Sequence, residues 1–301
     1  MNGLLIVDKP AGITSHDVVA RVRRILKTKR VGHTGTLDPF ATGVMVILIG
    51  QATRLAQFLD KDEKEYEAII GFGFETDTGD RTGVTRDECR VPGEKVAALI
   101  TPVDWNEVFA LYLGEIEQLP PMFSAKKVKG TKLYEHARRG DVIDRKPINV
   151  TVSRLEKIGS EISSLRSEIN INVVCSAGTY IRTLAEDIGR KIGTFAHLAE
   201  LRRKRSGKFT IDQSLTLDEL EDLDEPASAL ISMNEAVSHL PVTILPDERI
   251  ERTKTGLSTR VAESNFTDGE VVRIQTADGD LIAIGFYNEA EKSIQPRVVL
   301  V

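Results

Sequence analysis

The sequence predicts an α+β fold: a mixed or antiparallel central sheet with flanking helices, then a small β-barrel at the C-terminal end. Strands and helices interleave irregularly instead of repeating as βαβ units, which argues against a regular parallel sheet. Residues 168–175 are the cleanest strand, with Ile169, Ile171, Val173 and Cys175 alternating against Glu168, Asn170, Asn172 and Val174. Past Pro241 and Pro246 the pattern changes to short strands separated by Asp-Gly turns at 268–269 and 278–279.

In chain order, residues 3–7 form a short strand ending at Lys9-Pro10. Thr14 or Ser15 caps a helix, with Asp17 three residues after Thr14 as in a capping box. Val18, Val19, Val22, Ile25 and Leu26 make its apolar stripe and leave Arg21, Arg23 and Arg24 outside. A glycine-rich loop over 32–43 leads into an apolar element over 44–49. Residues 66–74 read as a strand with Tyr66, Ala68, Ile70, Phe72 and Phe74 on one face. Residues 75–93, rich in Asp, Thr, Arg and Gly, read as a loop. The 168–175 strand passes through 176–178 into a helix whose stripe is Ile181, Leu184, Ile188 and Ile192. The change of character near Pro241 divides the chain into 1–240 and 241–301.

With 301 residues, 41% hydrophobic and 28% charged, the chain has room for a large catalytic domain and a smaller module. Two cysteines, Cys89 and Cys175, give no disulfide framework. The first residues lack a basic start and a long apolar run, and no later run approaches a membrane span, so a cytoplasmic protein is expected. A net charge of −5 disfavours a polyanion at first sight, but the charges are segregated. Residues 21–30 hold six basic groups, 202–208 hold five, and 126–146 hold eight against three acidic ones, whereas 212–225 carry seven acidic groups and no basic one. One such cluster is ordinarily a solvated face, and three together point to a basic face for a polyanion.

No phosphate loop, dinucleotide fingerprint or Gly-x-Ser-x-Gly elbow is present, and the five histidines lack zinc-site spacing. Chemistry by side chains alone, with no cofactor or metal, is expected. In the 32–43 loop three glycines permit close backbone approach, and Pro39 biases Asp38 away from helical geometry. That fixes a carboxylate on a stiff turn, although an Asp-Pro turn alone is commonly structural. Gly178-Thr179-Tyr180-Ile181-Arg182 at a strand-to-helix junction and Lys9-Pro10 at a strand exit are equally ordinary in isolation.

Their order along the chain is specific. Leu5-Ile6-Val7-Asp8-Lys9-Pro10 precedes Gly32-His33-Thr34-Gly35-Thr36-Leu37-Asp38-Pro39 and Ala41-Thr42-Gly43. Lys64-Glu65-Tyr66, Pro120-Pro121-Met122-Phe123-Ser124-Ala125, the 178–184 run and His197-Leu198-Ala199-Glu200-Leu201-Arg202-Arg203 follow. The set resembles the TruB family, the bacterial enzymes that make pseudouridine at position 55 of the tRNA T-loop, over roughly residues 3–210. Residues 241–301 are similar only weakly to PUA-like RNA-binding barrels. Phe40 stands where Leu is usual, and Ser206-Gly207-Lys208 departs slightly from the usual ending.

The resemblance implies a pseudouridine synthase-type catalytic domain over 1–240 and a PUA-like RNA-binding domain over 241–301. It implies that the uracil N1–C1′ bond breaks, the base turns and C5 bonds to C1′. Asp38 would act as nucleophile, as stabiliser of the sugar carbon or as base toward a sugar proton, with Arg182 gripping its carboxylate bidentately. Tyr66 would stack on the base and assist loss of the C5 proton; Tyr180 and Leu198 would line the uracil pocket. His33 would fill the space left by the flipped base, whose extrusion costs a few kcal/mol, and Lys9 would also bind substrate. From the residues alone, Tyr66 starts a core face, Leu198 is a core leucine and His33 is bonded within its loop. Residues 126–146, with Lys126, Lys127, Lys129 and Lys132 ahead of an amphipathic segment, resemble the flap that closes over the T-loop. The implied partner is the T-stem-loop of tRNA, without guide RNA, obligate protein partner or membrane, and a monomer is expected. The rival reading is a tRNA-folding factor that refolds the T-loop without turnover.

Overall fold

The computed structural model describes residues 1–301 except 129, 142, 164–166, 262–264 and 301, so Lys129 of the flap lies outside the described residues. A nine-stranded sheet organises the first two-thirds of the chain. Its strands are β1 (Gly3–Lys9), β2 (Val31–Thr34), β3 (Thr42–Ile49), β4 (Lys64–Phe72), β5 (Gly114–Gln118), β6 (Ile148–Ser163), β7 (Glu168–Cys175), β8 (Ala196–Ser206) and β9 (Phe209–Thr210). They lie in the order β1-β3-β8-β4-β7-β6-β5, with β2 beside β3 and β9 beside β8. The β3–β8 pair is parallel and the others are antiparallel, giving a mixed sheet.

β1 and β3 read as unbroken apolar runs because both of their faces are buried. Leu5, Val7, Met45 and Ile47 join one core with α1 (Ser15–Ile25), whose N-terminus carries the Thr14–Asp17 capping box. Leu4, Ile6, Val44, Val46 and Leu48 join a second core with Leu281, Ile284, Val298 and Leu300. Those last four belong to the C-terminal segment, whose strands form a curled, half-barrel sheet of five strands. Two further helices matter below: α2 (Ile181–Lys191), lying on β8, and α3 (Leu217–Asp222), lying against α1. No described helix is long and apolar enough to cross a membrane.

Two sequence expectations change. Residues 75–93 are not simply a loop, because Phe74–Thr76 and Thr85–Arg90 pair as a hairpin. The basic stretch 202–208 is not an open basic face. Arg202 pairs with Asp8 at 2.7 Å, Lys204 with Glu67 at 3.4 Å and Arg205 with Glu65 at 3.2 Å. Arg203 is buried. Arg21 of α1 likewise meets Asp218 and Glu221 of α3, so part of the basic and acidic segregation seen along the chain is cancelled in space.

Candidate active site

Asp38 sits in the connection between β2 and β3, and that connection is clamped along its length. The Leu37 N–H donates to Ser15 Oγ at 2.9 Å, and the Ser15 hydroxyl donates back to the Leu37 carbonyl at 3.0 Å. Lys9 Nζ donates to the carbonyls of Ala41 at 2.7 Å, Pro10 at 2.9 Å and Pro39 at 3.2 Å. Arg203 Nη2 donates to the Gly35 carbonyl at 2.9 Å, and its Nε to Val44 O at 2.6 Å. At Gly43, with φ 103°, a Cβ would stand 2.2 Å from the Arg203 carbonyl, so the parallel β3–β8 pairing there requires glycine.

Arg182 enters from the first turn of α2. Its helix start is fixed by Gln118 at the end of β5, which accepts from the Tyr180 N–H at 2.8 Å and donates to the Tyr180 carbonyl at 3.2 Å. The buried guanidinium combines hydrogen bonds with ion-pair contacts on all three of its nitrogens. Nε meets Asp38 Oδ2 at 3.0 Å and Nη2 meets Oδ1 at 3.3 Å, the bidentate grip expected from the sequence. The rest go to Phe123 O at 2.8 Å, Thr78 O at 2.8 Å and Asp80 Oδ2 at 3.5 Å. Asp80 is itself oriented by the Thr82 N–H at 2.9 Å and by the hydroxyls of Thr82 at 2.6 Å and Thr78 at 3.0 Å.

Burial pushes the Asp38 carboxyl above its ordinary value, Arg182 and Lys9 pull it back, and Asp80 adds to the rise. Two cavities meet at this carboxylate, which is one-third exposed to them (33%). The inner, of about 270 Å³, is lined by Lys64, Tyr66, Tyr180, Leu201 and Arg203. The outer, of about 520 Å³, is lined by His16, Phe40, Lys132, Tyr134 and Arg138. Lys132 and Arg138 of the flap each stand 5.3 Å from the centre of the Tyr134 ring.

Asp38, Arg182, Tyr66 and Tyr180 therefore converge, and three other sequence candidates do not line either cavity. Leu198 is fully buried. It pairs with Ile70, whereas Tyr66 pairs with Arg203, four β4 residues away or about 13 Å at ~3.3 Å per residue. A bulge between Leu198 and Glu200 brings Leu201 to the same face at the Ala68 level, so Leu201 is the leucine at the inner cavity. Lys9 is fully buried with its three hydrogens on carbonyls, and so holds the Asp38 loop. Burial lowers its pKa to about 8, with Asp38 opposing the change. His33 meets the ring of His16 edge-on at 5.8 Å, and His16 is the histidine that reaches the outer cavity. Asp80 was hidden in a polar run, where nothing in the sequence separates it from Asp77. Among the described residues no group of three or more His, Cys, Asp or Glu is placed to hold a metal ion.

The Asp38 carboxylate, held by the Arg182 guanidinium beside a tyrosine-lined cavity on a mixed sheet, lies within the part of the chain that matches a pseudouridylate synthase family. Residues 23–181 match the family model described as TruB family pseudouridylate synthase, N-terminal domain, and residues 182–249 match the tRNA pseudouridylate synthase B C-terminal domain. The chain belongs to the TruB family of pseudouridylate synthases. It is 39% identical over 307 residues to tRNA pseudouridine synthase B of Bacillus pumilus, covering 100% of this chain and 98% of that one. To the Bordetella avium protein of the same name it is 43% identical over 248 residues, covering 82% and 96%. Among solved structures it resembles an H/ACA RNP bound to a substrate RNA containing 2′-deoxyuridine, with TM-score 0.71 and 27% identity over 99% of this chain and 85% of that one.

Proposed function

We propose that this chain converts uridine-55 in the T-loop of tRNA to pseudouridine, acting as a single protein without a guide RNA. The observation that carries the reading is the Asp38–Arg182 pair at the junction of an inner, tyrosine-lined cavity and an outer cavity roofed by a basic flap. Uridine-55 leaves the stack and enters the inner cavity, where Tyr66 and Tyr180 flank the base. Asp38 meets the anomeric carbon, with Arg182 keeping its carboxylate ionised and aimed. The N1–C1′ bond breaks, the base turns and the C5–C1′ bond forms with loss of the C5 proton. Lys132, Arg138 and Tyr134 meet the RNA beside the target, residues 1–240 carry the chemistry and 241–301 add RNA contacts. Proteins read folded RNA largely through shape and unstacked bases, which a two-cavity site with a closing flap suits.

The test is tritium release by the purified protein from tRNA carrying uridine labelled at C5. One equivalent of tritium per tRNA, abolished when residue 55 is cytidine, is expected. Release that survives that replacement, or no release, would contradict the proposal.

A further inference from the structure

Two buried cations, Lys64 and Arg203, line the inner cavity together with Asp38 and Asp60. Lys64 is 4% exposed and Arg203 1% exposed, yet neither has a carboxylate within 4 Å among the described residues. Lys64 Nζ donates to the carbonyls of Asp60 and Asp62, both at 2.5 Å, and retains a third hydrogen. Arg203 donates to the carbonyls of Val44 and Gly35. Burial lowers the pKa of Lys64; the Asp60 carboxylate opposes the change, Arg203 adds to it and Asp62 opposes it. Buried charges are normally paired, because an uncompensated one costs several kcal/mol. Lys64, with one hydrogen left over and no carboxylate within 4 Å among the described residues, is therefore placed to meet an anion that arrives with the substrate.

We infer that Lys64, backed by Arg203, stabilises the negative charge that develops on the uracil when its bond to the sugar breaks. The inference rests on the proposed isomerisation and identifies the charge partner of its leaving base. When C1′–N1 cleaves heterolytically, the electron pair leaves on N1 and spreads onto O2 and O4. The compensating positive charge on the sugar faces Asp38. The pair returns from C5 to C1′, the C5 proton departs to solvent and N1 takes one up, so the reaction is an isomerisation and needs no oxidant or co-reactant. Asp38 with Arg182 and Lys64 with Arg203, all lining the inner cavity, thus offer one partner to each half of the separated charge, an arrangement that needs no reorganisation during reaction.

The inference is tested with Lys64→Met and Lys64→Arg in the full chain, using single-turnover kinetics and filter binding to the same tRNA. Lys64→Met should slow tritium release by about 100-fold or more while affinity stays within a few-fold, and Lys64→Arg should recover part of the rate. A second substrate carries 5-fluorouridine at the target, whose anion is more stable and needs less help; base rearrangement is followed by nuclease digestion. The Lys64→Met defect relative to wild type should shrink on this substrate by about tenfold. Equal defects on both substrates would overturn the inference in favour of a purely structural clamp on residues 60–62. Lost affinity with a shallower salt dependence would overturn it in favour of a phosphate contact. Should Lys64→Met fail to fold, the wild-type-like or diminished defect of Lys64→Arg on the two substrates decides the question alone. Absence of tritium release by the wild-type protein would instead strike the proposed function, so the two failures are distinguishable.

Discussion

The protonation of Asp38 is set by burial and three charged neighbours acting in opposite directions. Burial and Asp80 raise its pKa, and Arg182 and Lys9 lower it, leaving it above the ordinary aspartate value. The chemistry needs the ionised form, so the single-turnover rate should fall as pH drops through a midpoint above 3.8. Arg182→Gln removes a lowering charge and should move that midpoint up, whereas Asp80→Asn removes a raising charge and should move it down. A pH–rate profile of the three proteins checks both signs; identical midpoints would uncouple Asp80 and Arg182 from Asp38. Arg182→Lys keeps the charge but offers three donors to five acceptors. Its turnover should fall more than its tRNA affinity, and an unchanged rate would remove Arg182 from the site.

At the scale of elements, the 32–43 loop and the start of α2 are what hold those residues together. Lys9→Met leaves the carbonyls of Pro10, Pro39 and Ala41 without their donor, at roughly 1–3 kcal/mol for a buried unsatisfied group, and should lower stability in urea by about that much. Unchanged stability would mean that water replaces the ammonium. On the buried side of α2, burial and then Glu75 push the Glu186 carboxyl from 4.5 up to about 7. A carboxyl raised on folding contributes stability that is complete below about 4.5 and lost as pH rises through about 7. Glu186→Gln should therefore stabilise the protein at pH 8 by up to about 3 kcal/mol, at ~1.4 kcal/mol per pH unit of difference, with little effect at pH 4. The loss of its 3.7 Å contact with Arg190 offsets part of the gain. Denaturant titrations at the two pH values would show it.

These elements also mark where the sequence was legible. The capping box at Thr14 and the 168–175 alternation depend on local spacing, and both stand in the structure. Asp38 and Arg182, 144 positions apart, were brought together only by the ordered motifs and the family resemblance. Leu198 came from the family resemblance alone; that Leu201 lines the inner cavity follows from the bulge between Leu198 and Glu200, which leaves no trace in a leucine-rich motif. The charges on β8 looked like an RNA-binding run because their partners, Asp8, Glu65 and Glu67, lie on other strands.

Over the whole molecule, the two sheets share a core in which Leu4, Ile6, Val46 and Leu48 pack with Leu281, Ile284 and Val298. Deleting 241–301 would expose that face, so the truncated chain should lose thermal stability and tend to aggregate as well as bind tRNA more weakly. A truncated protein with an unchanged melting temperature would show that the shared core contributes little.

The central claim is that the Asp38 carboxylate performs the chemistry while binding lies elsewhere, and Asp38→Asn measures it most directly. The amide keeps nearly the same shape, and the loop keeps its clamps through Lys9, Ser15 and Arg203. It has no negative charge to meet the sugar carbon and is a poor nucleophile. Filter binding to tRNA and tritium release from C5-labelled uridine, both with the same preparation, form the paired measurement. Affinity should stay within about tenfold, roughly 1.4 kcal/mol, while single-turnover release falls by several orders of magnitude. Near-normal release by the folded, tRNA-binding variant would contradict the account and move the chemistry to another carboxylate.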